Sequence, residues 1–432
     1  MVWSRVIRST VFAALSIIVF IPARARAQSG PAAAAEEVRQ AQAEVDRLRQ
    51  ELAALREQYD ARLAALEERL KALAGGAPLP TPVPAPVPEP VAQLAPTGQA
   101  NAGSGKVFNP DIAVIGNFLG VAGENKNSAQ PALGLNEVET SLQAIVDPYA
   151  RADFFLAAGP EGLEIEEGYV TFSSLPAGLL LKAGKMRAQF GKVNTLHAHA
   201  LPWTDRPLVT QNLVGGEEGI SLSGVALSRL ITNSALFLEA TGEAYYGDSD
   251  VFASSERSKL TYVGRLRAYR DVTEGANIDI GGSFAFGPSA GTPEVPAFDS
   301  DVSTRLVGFD ATFRYRPLRR AIYRRFLART ELVWSRPRSA GSWGDTAFGF
   351  YGSGEYQFAR RWFAGARYDR SAHAFDSSLV DTGGSLSLTF WPSEFNQVRG
   401  QYRRINYGDG VTANEFLFQI LFSIGAHGAH VF

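Results

Sequence analysis

The sequence contains no cysteine and only two methionines among its 432 residues. The absence of cysteine excludes a disulfide scaffold and any cysteine-ligated zinc or iron–sulfur site. Long apolar runs are also lacking, because the single run that approaches membrane length lies at the extreme N-terminus. A bundle of transmembrane helices is therefore excluded. Hydrophobic residues make up 45% of the chain and charged residues 20%, which excludes a wholly disordered protein.

Residues 1–27 have the plan of a secretory signal peptide. Arg5 and Arg8 form a basic start, and Val11–Ile21 is an apolar run of eleven residues. The Ala-Arg-Ala sequence at 25–27 then supplies small residues before a cleavage point. A retained anchor is the alternative, but the run is short for a membrane span. Because 38 basic and 44 acidic residues remain after cleavage, nucleic acid is not an expected partner.

Residues 28–76 are predicted to form a periplasmic coiled-coil helix. Apolar residues recur there at the three- and four-residue spacing of a coiled-coil seam, with one four-residue stutter. They are Val45, Leu48, Leu52, Leu55, Tyr59, Leu63, Leu66, Leu70 and Leu73. A single amphipathic helix is the alternative. Residues 77–104 are a proline-rich linker, in which every second residue from Pro78 to Pro90 is proline, and this predicts an extended strut.

Residues 105–432 are predicted to form a transmembrane β-barrel of about 16 antiparallel strands. Segments of roughly 9–13 residues alternate in character, as where Tyr262, Leu266 and Ala268 oppose Arg265 and Arg267. A sheet in lipid must close, because every backbone polar group needs a partner. The predicted strands are 110–119, 136–146, 149–158, 163–173, 178–188, 218–227, 233–241, 258–270, 276–286, 304–316, 325–335, 345–357, 361–370, 380–390, 396–407 and 413–424.

The connections between these segments alternate between short and long, as periplasmic turns and external loops do. Residues 189–217 form the longest connection, whereas 159–162 and 407–412 are short where external loops are expected. Sixteen strands is the best count, with fourteen and eighteen as alternatives. The terminal Phe432 resembles the signal by which barrel-assembly machinery recognises outer-membrane proteins, and the predicted location is therefore the Gram-negative outer membrane.

The barrel resembles the phosphate-selective porin O and P type. The resemblance is carried by Phe108–Ile112 and by the stretch from Phe190-Gly191-Lys192 through Asp205-Arg206-Pro207. Together with the leader, the coiled coil and the linker, it implies an outer-membrane porin with an N-terminal periplasmic stalk. Such porins fold the loop after their fifth strand into the channel. The resemblance therefore makes residues 189–217 the candidate constriction.

Charged residues at alternating positions are candidates for the lining of a water-filled pore, where they filter ions by sign. Acidic residues Glu137, Glu139, Asp153, Asp310 and Asp369 are expected to face them. Because residues 105–432 hold 31 basic and 34 acidic residues, net charge alone does not decide ion selectivity. The pore-lining and constriction candidates are Lys185, Arg187, Asp205, Arg206, Arg265, Arg267, Arg314, Arg329, Glu331, Arg367, Arg399 and Arg403.

Four histidines form two pairs that are candidates for metal binding, His197 with His199 and His427 with His430. The predicted topology separates the pairs, so one joint site is not expected. No catalytic motif is found, and the chain is predicted not to be an enzyme and to need no cofactor.

The predicted function is passive diffusion of small hydrophilic solutes, including anions such as phosphate. The alternatives are a tether between the outer membrane and the cell wall, and a receptor-like barrel for metal uptake. Expected partners are outer-membrane lipid, copies of the same chain in a homo-oligomer, with a trimer favoured, and peptidoglycan at the stalk.

Overall fold

The computed structural model describes residues 110–425, apart from 129, 161, 233–235, 248, 255, 290–301 and 340–341. The predicted leader, coiled coil and linker lie outside the described residues, as do His427, His430 and Phe432. Within the described ranges, no helix is long and apolar enough to cross a bilayer.

Sixteen long antiparallel strands form one sheet that closes on itself. Neighbours in sequence pair with each other, and β1 also pairs with β17 from Ala113↔Gly425 to Glu124↔Asn414. The two-residue β12 pairs only with the end of β11 and is not part of the wall. The strands are β1 Asp111–Glu124, β2 Leu133–Asp147, β3 Ala150–Gly159, β4 Gly162–Phe172, β5 Leu179–Arg187, β6 Ser221–Thr232, β7 Phe237–Tyr246, β8 Thr261–Thr273, β9 Ala276–Pro288, β10 Ser303–Tyr315, β11 Arg325–Ser339, β12 Ser342–Trp343, β13 Ala347–Ala359, β14 Trp362–Ala372, β15 Val380–Ser393, β16 Asn396–Asn406 and β17 Thr412–Gly425.

The closed sheet confirms the predicted all-β barrel and its sixteen strands. Closure gives each long strand two hydrogen-bonded neighbours, as a barrel in lipid requires. The bounds differ most at the sixth and seventh strands, predicted at 218–227 and 233–241 but found at Ser221–Thr232 and Phe237–Tyr246. The sequence prediction placed Asn233 and Ser234 inside a strand, although both are turn-forming residue types.

The alternation of side chains along each strand separates an inner from an outer face. In β17, Leu417, Gln419 and Leu421 are buried, whereas Phe416 and Phe418 between them are exposed. The same period of two runs through β8, where Val263 and Arg265 are buried and Tyr262 and Leu266 are exposed. The two faces are therefore set by the sequence alone.

The outer face is apolar and carries aromatic side chains near both ends. Trp362 stacks on Phe390 at 4.6 Å between ring centroids, close to one end of β14 and β15. Trp334 and Phe348 pack at 5.1 Å near the other end. Exposed aliphatic and aromatic side chains occupy outward positions between them, such as Leu386, Leu388 and Tyr402. This surface suits a bilayer flanked by two aromatic belts.

The two ends of the barrel differ in their connections. One end, here called the turn end, has tight turns such as 274–275, 360–361 and 394–395. The first residue of β1 and the last residue of β17 lie at this end too. The other, the loop end, has longer segments, including 125–132 and 188–220. Residues 188–220, hereafter the long loop, contain a short helix, α1, at Leu208–Leu213.

Candidate pore and constriction loop

The long loop packs against the inner wall and builds an apolar core inside the barrel. Phe190, Trp203, Val209 and Leu213 from the loop are all buried. They pack with inward side chains of several strands, and Trp203 meets the Tyr351 ring edge-on at 5.2 Å. A barrel lumen filled only with water would leave these side chains exposed, so their burial stabilises the inward position of the loop.

The start of the long loop is fixed to barrel strands that do not pair with β5. The backbone N–H groups of Lys192 and Val193 donate to Oε1 of Glu331 in β11, at 2.8 and 2.7 Å. Arg265 of β8 donates to the Gly191 carbonyl and pairs with Asp310 of β10 at 2.9 Å. Two of the pore-lining candidates, Arg265 and Glu331, thus hold the loop in place.

The middle of the loop is fixed by Asp205. Its Oδ2 lies 3.0 Å from Nη2 of Arg367 and 3.1 Å from Nη1 of Arg403, and its Oδ1 accepts a hydrogen bond from Gln401 at 2.6 Å. Burial opposes ionisation of Asp205, but Arg367 and Arg403 outweigh burial and hold the pKa of this carboxyl below its usual range. Arg399 adds a hydrogen bond to the Leu201 carbonyl at 3.0 Å.

Arg206, a candidate residue of the constriction, is buried within the long loop. Only 1% of Arg206 is exposed, and its guanidinium donates to the carbonyls of Val193 and Leu196 at 3.3 and 3.0 Å. Burial lowers the pKa of Arg206 to about 10. The side chain thus braces the long loop from within.

Other candidates pair away from the Asp205 contacts. Arg187 contacts Glu166 at 2.6 Å, and Lys185 contacts Glu164 at 3.0 Å. Arg267 pairs with Asp279 at 2.7 Å. The expected acidic partners on the inner face are present too, since Asp369 pairs with Arg367 and Asp153 with Arg151. Most charges predicted for the wall are thus compensated within it.

A cavity of about 510 Å³ lies between the loop and the turn end. Residues His199–Pro202 of the loop border it, and its charged lining consists of five arginines and two glutamates, namely Arg314, Arg316, Arg325, Arg329, Arg399, Glu355 and Glu394. Among the described residues, Arg316, Arg325, Arg329 and Arg399 form no ion pair. The cavity is therefore basic, although the barrel as a whole is not.

Sequence reasoning identified Arg314, Arg329 and Arg399 of this cavity and missed Arg316 and Arg325. Arg325 is in register with Arg329 and Glu331 at a period of two on β11, so the alternation already in use could have found it. Arg316 lies within the predicted strand 304–316 and follows Arg314 by two residues, so the same alternation could have found it, although β10 ends at Tyr315 in the structure.

Lys192 lies beside the same group of arginines. Burial lowers its pKa, with a further contribution from Arg267, Arg314 and Arg329, so that the pKa is about 8. Nearby Asp279 acts in the opposite direction but does not compensate. This lysine is therefore mostly charged at pH 7 and loses its charge as the pH rises through about 8.

His197 and His199 of the long loop are buried against strands β2 and β4. His197 contacts Glu139, Glu166 and Glu167 at 2.7–2.8 Å. Burial disfavours its protonation, but these three carboxylates outweigh burial and raise the pKa of His197 well above its usual range. This contact is the third point at which the loop meets the wall.

Comparison with known proteins shows the class of fold. The chain is 13% identical to OprB of Pseudomonas putida, with a TM-score of 0.53 over 74% of this chain and 94% of that one. A loop-deletion mutant of OmpT, an outer-membrane protein of Vibrio cholerae, gives a TM-score of 0.51 at 11% identity, over 74% of this chain and 100% of that one. An anion-selective porin from Comamonas acidovorans gives 0.50 at 10% identity, over 73% and 98%. The fold is thus that of outer-membrane β-barrels.

Sequence comparison is less specific. No family model matches the chain. An uncharacterized protein of Aquifex aeolicus is 29% identical over 397 residues, which is 77% of this chain and 82% of that protein. The likeness to the phosphate-selective porin O and P type therefore remains a prediction from the sequence.

Proposed function

We propose that this protein is an outer-membrane porin that lets small hydrophilic solutes diffuse passively, with a preference for small anions. The observation that carries the anion preference is the basic cavity below the long loop, where Arg316, Arg325 and Arg329 form no ion pair among the described residues. A guanidinium group can donate two parallel hydrogen bonds to two oxygens of a phosphate or carboxylate. An anion in this cavity would therefore find donors that no ion pair occupies.

The long loop supports a filtering role. It crosses the inside of the barrel from the Glu331 contact to the Asp205 contact, and polar bonds fix it at both places. A loop held in this way narrows the passage, and the residues around the remaining space then select the solute. Phosphate is the anion that the sequence resemblance suggests, and chloride serves as the simplest probe.

Reversal potentials in a salt gradient test this proposal. Purified full-length protein is inserted into a planar lipid bilayer with unequal potassium chloride concentrations on the two sides. We expect discrete conductance steps and a reversal potential of the sign that chloride preference produces. Absence of any conductance would overturn the porin assignment, whereas a potassium preference would overturn the anion part alone.

We also infer from the sequence that the chain is exported and that residues 28–104 form a periplasmic stalk and linker. In this arrangement the turn end faces the periplasm, Phe432 engages the barrel-assembly machinery, and the barrels associate as a homo-oligomer with a trimer favoured. Deleting residues 28–104 separates a pore from a tether. A pore keeps its conductance after the deletion, whereas a tether to peptidoglycan loses its association with the cell wall.

A further inference from the structure

Two histidines of the long loop meet a group of carboxylates on the inner wall. Glu139 of β2 is 1% exposed, and Glu166 of β4 is 5% exposed. Each has an oxygen close to His197 Nδ1, at 2.8 Å for Glu139 and 2.7 Å for Glu166. Nδ1 of His199 lies 3.3 Å from the same oxygen of Glu139. The three donor atoms of Glu139, Glu166 and His197 all lie within 4.8 Å of one another.

Irregular strand pairing builds this cluster. The register of β3 and β4 passes from Phe155↔Glu167 to Leu156↔Ile165, so Glu166 is an extra residue in a β-bulge. The bulge brings Glu166 and Glu167, neighbours in sequence, to the same inner face, where both are buried. A regular strand would direct one of them into lipid. Bulges that redirect a side chain are a feature of functional sites.

Glu167 fixes the orientation of the His197 ring. Its Oε2 lies 2.8 Å from Nε2 of His197, and its Oε1 accepts the backbone N–H of Arg187 at 2.7 Å. A histidine that binds a metal commonly donates its second ring N–H to a carboxylate in this way. When Nε2 donates to Glu167, the lone pair of Nδ1 faces Glu139 and Glu166.

One ring nitrogen cannot satisfy both oxygens. Nδ1 carries at most one proton, yet oxygens of Glu139 and Glu166 approach it at nearly the same distance. A doubly protonated ring would offer its single Nδ1–H to two acceptors. A divalent cation between the three atoms would instead satisfy all of them, since nitrogen and carboxylate oxygen are both its ligands.

The cluster also holds more carboxylates than the arginine beside it can neutralise. Glu137, Glu139, Glu166 and Glu167 supply four carboxylates, and Oε1 of Glu137 is buried without a hydrogen-bond partner among the described residues. Arg187 is the guanidinium that pairs with this group in the part of the chain that the structure describes, through Glu166 at 2.6 Å. Buried carboxylates in excess of their cations are costly, and a bound divalent ion offsets that cost.

We propose that Glu139, Glu166 and His197 bind one divalent transition-metal ion of the zinc class and so fasten the long loop to strands β2 and β4. One imidazole with carboxylates favours zinc over calcium and magnesium, which prefer oxygen ligands alone. A tetrahedral ion with bonds of about 2.1 Å separates its ligand atoms by roughly 3.4 Å, so the carboxylates need only a small outward movement. Glu137 and His199 border the same place and can complete the coordination.

Titration calorimetry with zinc chloride tests the proposal on untagged, full-length protein in detergent after treatment with a chelator. We expect one zinc ion per chain and a rise in Tm that saturates at one equivalent, with no comparable rise from magnesium or calcium. The Glu139→Gln and His197→Gln variants should lose this binding. Glu167→Gln should weaken it by about 10- to 100-fold, the usual effect of removing an orienting carboxylate.

Two matched variants keep the test specific. His373→Gln removes a partly exposed histidine that pairs with Asp381 at 3.0 Å, and it should bind zinc like the wild type. A double change of His427 and His430 to Gln should also leave binding intact. Loss of zinc binding in the double variant, or equal binding in wild type and His197→Gln, would overturn the proposal.

Because Glu139→Gln or His197→Gln could prevent folding, zinc X-ray absorption of the wild-type protein gives an independent readout. A spectrum with imidazole and carboxylate ligands supports the site. A spectrum with oxygen ligands alone, or no retained zinc, overturns it. Neither result depends on whether the barrel conducts anions.

Discussion

The arginines inside the barrel fall into two groups with different surroundings. Arg367 and Arg403 lie against the long loop, where both contact Asp205 and each has a second carboxylate, Asp369 or Glu415. Arg325 and Arg329 line the cavity nearer the turn end and form no ion pair among the described residues. All four arginines lie on barrel strands that have the same alternating sequence pattern.

The difference shows how one residue type serves two purposes in one lumen. The carboxylates beside Arg367 and Arg403 offset the cost of removing these guanidinium groups from water, and the ion pairs with Asp205 then hold the loop. A guanidinium that borders a cavity keeps donors for water or a solute. Substitutions made in each group separately distinguish these two roles.

The largest effect is expected from Asp205→Asn, which removes the carboxylate shared by Arg367 and Arg403. Breaking a buried ion pair costs about 3–5 kcal/mol, and the lower end applies because each arginine keeps a second partner. Hydrogen exchange should rise in residues 198–208, and Tm in detergent should fall. Asp409→Asn, at a fully exposed carboxylate, should change neither. Unchanged exchange in Asp205→Asn would show that the apolar core alone holds the loop.

A smaller loss is expected from Gly281→Ala on β9. A Cβ at this position would overlap with Asp310 Oδ2 and with the Arg265 guanidinium, which carries the Gly191 contact. Overpacking of this kind costs about 1–3 kcal/mol. The adjacent Gly282→Ala is the matched control, because nothing lies within 4 Å of its added Cβ. Equal melting temperatures for both variants would contradict the importance of the Arg265 contact.

Removing the second group of arginines should alter selectivity and leave stability unchanged. One charge about 6 Å from an ion in water contributes ~0.7 kcal/mol, or roughly threefold in local anion concentration. Reversal potentials of Arg325→Gln/Arg329→Gln should therefore shift toward cations at low salt. Arg305→Gln is the control, because the Arg305 guanidinium stacks on the Trp343 ring at 4.9 Å and does not line the cavity. If the double variant kept the wild-type reversal potential, as the control should, the cavity would not select the ion.

The smallest effect is a change with pH. Lys192 has a pKa of about 8, lowered by burial and by Arg267, Arg314 and Arg329. Its ammonium is charged below that pH and neutral above it, so anion preference should decrease between pH 7 and pH 9. Lys192→Met should remove the pH dependence, whereas Lys126→Met at the loop end should retain it. A pH dependence that survives Lys192→Met would assign it to another group.

The sequence predicted the fold well because each strand carries its own pattern. The period of two in segments such as 262–268 identifies a half-buried strand without knowledge of its neighbours. The predicted end of a strand was less accurate where glycine residues occur near that end. The first strand was predicted to end at residue 119, yet pairing with β17 continues it through Gly120 and Gly123 to Glu124. Hydrogen bonds to a distant strand overcame the local preference of glycine.

The candidate site was predicted only in part. The inward direction of Arg367 and Arg403 followed from alternation, and the long loop was recognised from its length and its family resemblance. Glu166 and Glu167 were missed altogether. Strict alternation places only one of two adjacent residues inside, and the bulge that admits both depends on pairing with β3.

Local chemistry and long-range contacts thus determined different properties of this protein. The alternating sequence pattern determined which side chains of the regular strand segments face inward, and the need to pair every backbone group in lipid determined that the sheet must close. Which inward charges are neutralised depends on contacts that form only in the folded barrel. Asp205 and Arg367 are 162 residues apart in sequence, and the folded loop brings them to 3.0 Å.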